Sequence, residues 1–492
     1  MADLRPRVLV LGLDSIPPEL LFDKFLGVMP NMRALMKRGR RGVLRTIDPP
    51  ITVPAWAVMF TGVDPGTLGI YGFRHRRPGS YWDMYTPTPQ MITYPTIWDL
   101  LSRDGRRVCV IGMPPGYPPP TVNGVYISDF LTPSNAQDFV RPTDLKNEIL
   151  GVAGSYEFDV TFRAEDRAKV GEELITMTRH RFAVARHLWK KEPWDFFALH
   201  EIGPDRLHHT FWKYFDESHP RYEANPAFRE LANRYYRTLD EEIGRFLELV
   251  PEDVRILVAS DHGSQAMEGC FCINEWLVDE GYLTLKQPAT ISGTPLEKLS
   301  VDWSRTRAWG AGGYYARIFL NIAGREKEGV VAPGGVAKLI AELREKLSRV
   351  RRPDGSSLQA QVFTPDQLYR SVRGDAPDLI AYFGSLRWRS AGTLGHKKWF
   401  LEENDTGPDD SVHSFEGLYL LVEPGGQSGV ESREESILDV APTLLRWYGL
   451  QPPAHMQGRA IASWIDNGPP MHNATGMTRT DSTVPRRPLG SS

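Results

Sequence analysis

Three aspartates and three histidines sit at the edges of short apolar runs in this 492-residue chain, and their oxygens and imidazole nitrogens are the donors that hold a divalent cation. Asp261-His262 closes the run from Val254 to Ser260, and Val8 to Leu13 delivers Asp14. Asp195 to Leu199 leads through a loop to Asp205 and His209, and His413 closely precedes Gly417 to Val422. Buried strands of a mostly parallel sheet read as such runs, and open α/β sheets gather ligands beside the carboxyl ends of their strands. Four distant segments can therefore meet in one crevice, with an inventory suited to zinc or manganese.

A metal cluster needs something to act on, and Thr52 in Ile51-Thr52-Val53-Pro54-Ala55-Trp56 is the candidate nucleophile. Pro54 fits the first turn of a helix running to Thr61. The Thr52 hydroxyl would then lie where free backbone N–H groups and the positive dipole end stabilise an alkoxide or hold a phosphate oxygen. A Thr before a helical Pro is more commonly only an N-cap, so Thr52 alone is a weak signal.

An α/β fold is needed to position these groups. Strands are expected at 7–13 and 107–112, and helices at 55–61, 96–103, 171–190 and 227–250. Prolines at 49–50 and 114–120 mark turns and rigid loops. Length alone suggests about two to four domains, yet ligands spread from Asp14 to His413 argue for one catalytic unit, residues 1–466, carrying insertions. The roughly 150 residues between His262 and His413 show no ligand set of their own and include a basic amphipathic helix near Val336 to Arg351. They are read as an inserted cap within about 265–410. Residues 467–492, rich in Gly, Pro, Ser, Thr and Asn, are read as a disordered tail.

A net charge of −3 and a pI near 6.5 argue against bulk binding to nucleic acid or anionic membrane, so an anionic substrate must be attracted locally. Cys109 lies in an expected buried strand, and Cys270 and Cys272 lack the further thiols of a zinc framework, so all three are read as buried or reduced. The chain opens without an apolar leader and shows no stretch of membrane-spanning length, which makes a cytoplasmic protein the expectation. Oligomeric state is not indicated.

Taken in order, Asp14, Thr52-Val53-Pro54 with Thr61-Gly62, Asp205 with His209, Ser260-Asp261-His262-Gly263 and His413 resemble the alkaline phosphatase superfamily. The resemblance is to its type I phosphodiesterase/nucleotide pyrophosphatase branch, and within it to the predicted phosphohydrolase or phosphomutase group. It spans roughly 6–466 and is supported by Pro54 to Phe73, Asp205 to Trp212, Ile273 to Leu277 and Ile437 to Leu445. It implies an alkaline-phosphatase-like sandwich, a central mostly parallel sheet flanked by helices, with an inserted cap subdomain. It further implies two divalent cations, zinc first and manganese as the alternative. Asp14, Thr52, Asp261 and His262 would hold one, and Asp205, His209 and His413 the other. The activity implied is hydrolysis of a small phosphoester, a diester or pyrophosphate, through a phospho-threonine intermediate at Thr52.

One departure matters. Many nucleotide pyrophosphatases resembled here carry Asn-His directly after the nucleophile-Pro step, the Asn contacting a phosphate oxygen, whereas this chain has Ala55-Trp56. The replacement contact is sought in the N–H of Thr52 or Val53, or in Lys397, Lys398 or Arg389, although each of those three basic residues is better read as part of a solvated face. His208 is placed behind the ligands or at the surface, His75 in a solvated Arg/His loop, and His396 as structural. Trp309 and Tyr314-Tyr315 are read as strand-core packing rather than as a platform for a base or sugar. A sulfatase is nearly excluded, since Thr52 cannot become formylglycine and Trp56 stands where Arg is required. A phosphomonoesterase or phosphomutase of the same superfamily, or a metal-binding non-catalytic homologue, remains the alternative.

Overall fold

The computed structural model describes residues 7–425, 430–431 and 434–465, so the tail expected at 467–492 lies outside the described residues. The elements that matter for the site are β1 (Arg7–Leu13), β2 (Arg40–Arg45), α1 (Thr52–Thr61), β3 (Val108–Ile111), β4 (Gly124–Ile127), α2 (Arg167–Lys191), β5 (Phe196–Glu201), α3 (Gly203–Phe215), α4 (Pro226–Leu247), β6 (Val254–Ala259), β7 (Ser411–Ser414) and β8 (Glu416–Val422).

The apolar runs are uninterrupted because both faces of the strands are covered. Leu9, Leu11 and Leu13 of β1 enter one core, together with Phe197, Leu199, Ile256 and Val258. Val8 and Val10 enter the other, with Phe196, Ala198, Leu257 and Ala259. Helices α2, α3 and α4 supply the first core, while α1 and the helix Val440–Trp447 supply the second. α1 has no polar face because all ten of its residues are buried.

Across the main sheet the order is β2-β8-β6-β1-β5-β3-β4. The interior pairs β6·β1, β1·β5, β5·β3 and β3·β4 are parallel, while β8 runs antiparallel to both β6 and β2. Gly12 is in register with His200 of β5 and with Ala259 of β6, so the three chains leave the sheet side by side at their carboxyl ends. The helices expected at 171–190 and 227–250 are α2 and α4, and the strand expected at 107–112 is β3.

Between β6 and β7 a separate four-stranded antiparallel sheet forms from Ala308–Ala311, Ala316–Leu320, Leu379–Tyr382 and Gln361–Phe363. The amphipathic helix Val336–Ser348 lays Leu339, Leu343 and Leu347 into the core beneath it, with Trp276, Trp309 and Phe319. Among the described residues no helix is long and apolar enough to cross a membrane.

Candidate active site

Asp14 leaves β1 and the chain turns at once, because Ser15 adopts a left-handed conformation with φ of 62°. Side-chain bonds hold that turn against the loop after β6. The Ser15 N–H donates to Asp261 Oδ1 at 3.2 Å, the Ile16 N–H donates to Ser260 Oγ at 2.8 Å, and Ser260 Oγ donates to the His262 carbonyl at 2.6 Å. Asp205 lies in the first turn of α3 with His209 four residues on, which is one turn along the same helix face. His413 arrives on β7, paired opposite Ser264 in the short strand that follows His262. Asp14, Thr52, Asp205, His209, Asp261, His262 and His413 are all buried.

Thr52 is not an N-cap. Ile51 occupies that place in extended conformation without a capping bond, and Thr52 is the first helical residue. Pro54 is tolerated there because the opening N–H groups of a helix have no intrahelical partner. The Thr52 hydroxyl instead lies 3.1 Å from His262 Nε2 and 3.4 Å from Asp14 Oδ1. A threonine so placed stabilises no helix end; its oxygen faces a ligand-bearing crevice.

All three imidazoles are turned the same way. His262 Nδ1 sits 3.0 Å from the Gly263 carbonyl, His413 Nδ1 2.7 Å from the Pro50 carbonyl, and His209 Nδ1 2.7 Å from Asp409 Oδ1. With Nδ1 carrying the proton toward each acceptor, Nε2 of a singly protonated ring points its lone pair into the crevice. Burial, joined by the neighbouring His413, lowers the His262 pKa to about 3, and burial also lowers that of His413, so both rings are neutral donors.

These donors face other electron-rich atoms. His262 Nε2 is 3.2 Å from Asp261 Oδ2, and Asp205 Oδ1 is 3.3 Å from His209 Nε2 and 3.5 Å from His413 Nε2. Asp205 Oδ1, Asp261 Oδ2 and His413 Nε2 are buried and have no hydrogen-bond partner. Burial and the charge of Asp14 push the Asp261 carboxyl well above its usual range. Burial opposes charge on His209 too, but Asp409 and Asp205 outweigh it and raise the ring to about 10. A pocket that crowds carboxylates, keeps His262 and His413 neutral and draws a proton onto His209 is short of positive charge, and a bound cation would supply it. The donors fall into two groups that each close within 4.8 Å, Asp14-Asp261-His262 and Asp205-His262-His413, with His262 common to both. His209 joins the second group through Asp205.

Several supporting residues escape the sequence pattern. Asp14 Oδ2 receives the Trp56 indole N–H at 2.9 Å and lies 2.8 Å from His200 Nε2, so Oδ1 is the oxygen left for Thr52. A side-chain carbon on Gly12 would meet the Trp56 ring at 2.6 Å, so that glycine lets the indole lie against β1. Asp409 binds His209 through one oxygen, and through the other accepts Arg163 Nε at 2.9 Å and Arg389 Nη1 at 3.0 Å.

Arg389 is thus not on a solvated face but buried, over the Tyr314 ring at 4.3 Å; Lys397 and Lys398 are exposed. Tyr314 also departs from its expected place in a strand core, because its ring stacks on His413 at 3.8 Å and its hydroxyl lies 3.1 Å from His209 Nε2. Trp309 and Tyr315 are core residues. His208 is buried between Ser264 and Tyr236, and burial lowers its pKa to about 3. His75, expected to be solvated, is buried and accepts the Tyr71 N–H at 2.8 Å. His396 bridges Ser292 and Thr393. The three cysteines are buried and unpaired by disulfides.

The model of one family, type I phosphodiesterase / nucleotide pyrophosphatase, matches residues 8–412, from β1 to the residue before His413. The chain belongs to that family. It is accordingly a phosphoester hydrolase of the alkaline phosphatase superfamily. The crystal structure of phosphonoacetate hydrolase from Sinorhizobium meliloti 1021 in complex with phosphonoformate has a TM-score of 0.57 to this fold, covering 89% of this chain and 94% of that one at 16% identity. At such identity the likeness shows the alkaline-phosphatase-like α/β architecture. No curated protein matches the chain.

Proposed function

We propose that the protein is a phosphodiesterase of the nucleotide-pyrophosphatase type that works with two divalent cations, zinc before manganese, and passes through phospho-Thr52. The observation that carries this reading is that Asp205, Asp261 and His413, each with a partnerless buried atom, gather around His262, whose Nε2 lies 3.1 Å from the Thr52 hydroxyl. Asp14, Thr52, Asp261 and His262 would hold one cation, and Asp205, His209 and His413 the other. When bound, the cations supply charge for the phosphoryl oxygens and lower the proton affinity of the Thr52 hydroxyl.

The chain's own residues do the rest. Asp14, kept in place by Trp56 and His200, and His262 orient Thr52 Oγ1. Thr52 Oγ1 gives up its proton to solvent and attacks phosphorus in line, the bond to the departing oxygen breaks with its electron pair, and that oxygen takes a proton from water as the alcohol leaves. Water then attacks phospho-Thr52, releasing the phosphoryl product and restoring the hydroxyl. We read about 265–410 as an insertion whose surface faces the alcohol side of the ester.

A diester is favoured because cationic groups near the site are already committed. Arg163 and Arg389 are held by Asp409, and Arg206 by Asp159 and Asp205. Val53, Ala55 and Trp56 add only an apolar buried wall. The test is elemental analysis together with turnover of bis-nitrophenyl phosphate and nitrophenyl phosphate. About two ions per chain and faster diester turnover are expected. Absence of metal after reconstitution would remove the mechanism, and a clear monoester preference would move the assignment to a phosphatase or phosphomutase.

A further inference from the structure

Tyr314 enters the site from the segment between β6 and β7, and nothing in the ligand pattern asks for it. The aromatic rings form a row. Thr52 Oγ1 lies 3.1 Å from His262 Nε2, the His262 and His413 rings stack at 3.9 Å, and the His413 and Tyr314 rings stack at 3.8 Å. The Tyr314 hydroxyl therefore stands two imidazoles away from the attacking oxygen, beside His209 Nε2 at 3.1 Å. In an in-line displacement the bond that breaks points away from the nucleophile.

The phenol is also prepared to donate. Arg163 Nη2 donates to its oxygen at 3.2 Å, which leaves the phenolic hydrogen to point elsewhere. In this structure the phenol oxygen lies 3.1 Å from His209 Nε2, and a cation held at that nitrogen would leave the O–H free for another acceptor. The ring cannot swing away, because it is buried on His413 with the Arg389 guanidinium 4.3 Å from its centroid. The sequence places no Asn beside the nucleophile, Lys397 and Lys398 are exposed, and Arg389 is bound to Asp409.

Building on the phosphodiesterase reading above, we propose that the Tyr314 hydroxyl donates a hydrogen bond to the departing ester oxygen. As the Thr52 Oγ1–phosphorus bond forms, the electron pair of the breaking bond settles on that oxygen and accepts the bond from Tyr314. The proton stays on the phenol. Tyr314 is then a catalytic residue whose importance grows with the charge left on the alcohol.

Tyr314→Phe keeps the ring and its stack and removes only the donor. Two methyl diesters differing in the leaving group, phenyl or nitrophenyl, give the readout. Tyr314→Phe should retain wild-type metal content and thermal midpoint, and lower kcat on the phenyl ester about tenfold more than on the nitrophenyl ester, within the range lost with an oxyanion donor. Equal losses on the two esters, no loss on either, or loss of metal from Tyr314→Phe would overturn the role of Tyr314 while leaving phosphodiester hydrolysis standing. A wild-type enzyme inactive on both esters would overturn the phosphodiesterase reading, and this proposal with it.

Discussion

His413 Nδ1 lies 2.7 Å from the carbonyl oxygen of Pro50, 363 residues earlier, so an imidazole of β7 is fastened to the loop that leads into Thr52. One hydrogen bond thereby sets the His413 tautomer and ties the candidate nucleophile to the far edge of the site. His413→Ala should lower bound metal from about two ions per chain to about one. Diester turnover should fall at least a hundredfold. Retention of both ions, by elemental analysis after dialysis, would remove His413 from the ligand set.

Buried Asp409 joins His209 to Arg389, which is buried, and to Arg163, which is half-buried. Asp409→Asn can still accept from His209 Nδ1 but leaves Arg163 and Arg389 facing no charge. Breaking a buried ion pair from one side costs about 3 kcal/mol or more, and losing a partner that orients a ligand imidazole weakens metal binding roughly 10- to 100-fold. Denaturant unfolding and competitive chelation should both register the change. A variant with wild-type values in both measurements would reduce Asp409 to a bystander.

The candidate ligand carboxylates and imidazoles are legible in the sequence because each borders an element that leaves a local signature. Runs such as Val8 to Leu13 lack polar alternation only when a strand is covered on both faces, and the two cores on either side of β1 are that cover. Spacing on α3 likewise brings Asp205 and His209 to one face, while His208 points to Tyr236.

The residues behind the ligands are not legible, because their contacts cross the chain. Trp56, His200 and Asp409 reach their partners over 42, 186 and 200 residues. No periodicity encodes such pairings. Arg389 reads as one of a basic group, and the arrival of Asp409, Asn404 and Tyr314 lets it be buried. His75 is similar: Arg76 beside it is neutralised by Glu326, 250 residues away, and the loop folds inward.

His75 gives the protein an acid-sensitive contact. Burial, aided by the positive charge of Arg317, lowers its pKa from 6.5 to about 4. Below pH 6.5 the unfolded chain takes up a proton there that the folded chain refuses until about pH 4. The stabilisation is complete above the unfolded value and is lost as pH falls through that window, amounting to ~3 kcal/mol at about 1.4 kcal/mol per unit. Glutamine offers an oxygen that can take the Tyr71 N–H without titrating. His75→Gln should therefore flatten the fall in stability between pH 6.5 and 4 by close to one proton, measured by denaturant unfolding across pH. An unchanged slope would place the acid sensitivity elsewhere.

Thr52 separates chemistry from architecture most sharply. Its hydroxyl caps nothing, since Ile51 holds the N-cap position and the oxygen faces His262 and Asp14. Thr52→Ala should therefore cost less than the ~1 kcal/mol of a lost cap, and Asp14, Asp261 and His262 should still retain metal. Turnover should nevertheless fall by several orders of magnitude, because no oxygen remains to accept the phosphoryl group. Thr52→Ser restores that oxygen and should restore much of the activity. A trapped phosphorylated peptide containing residue 52 is expected from the wild type and from Thr52→Ser, and is impossible from Thr52→Ala. If Thr52→Ala turns over diesters at a near-normal rate, water attacks phosphorus directly and the threonine is a neighbour of the site rather than its nucleophile.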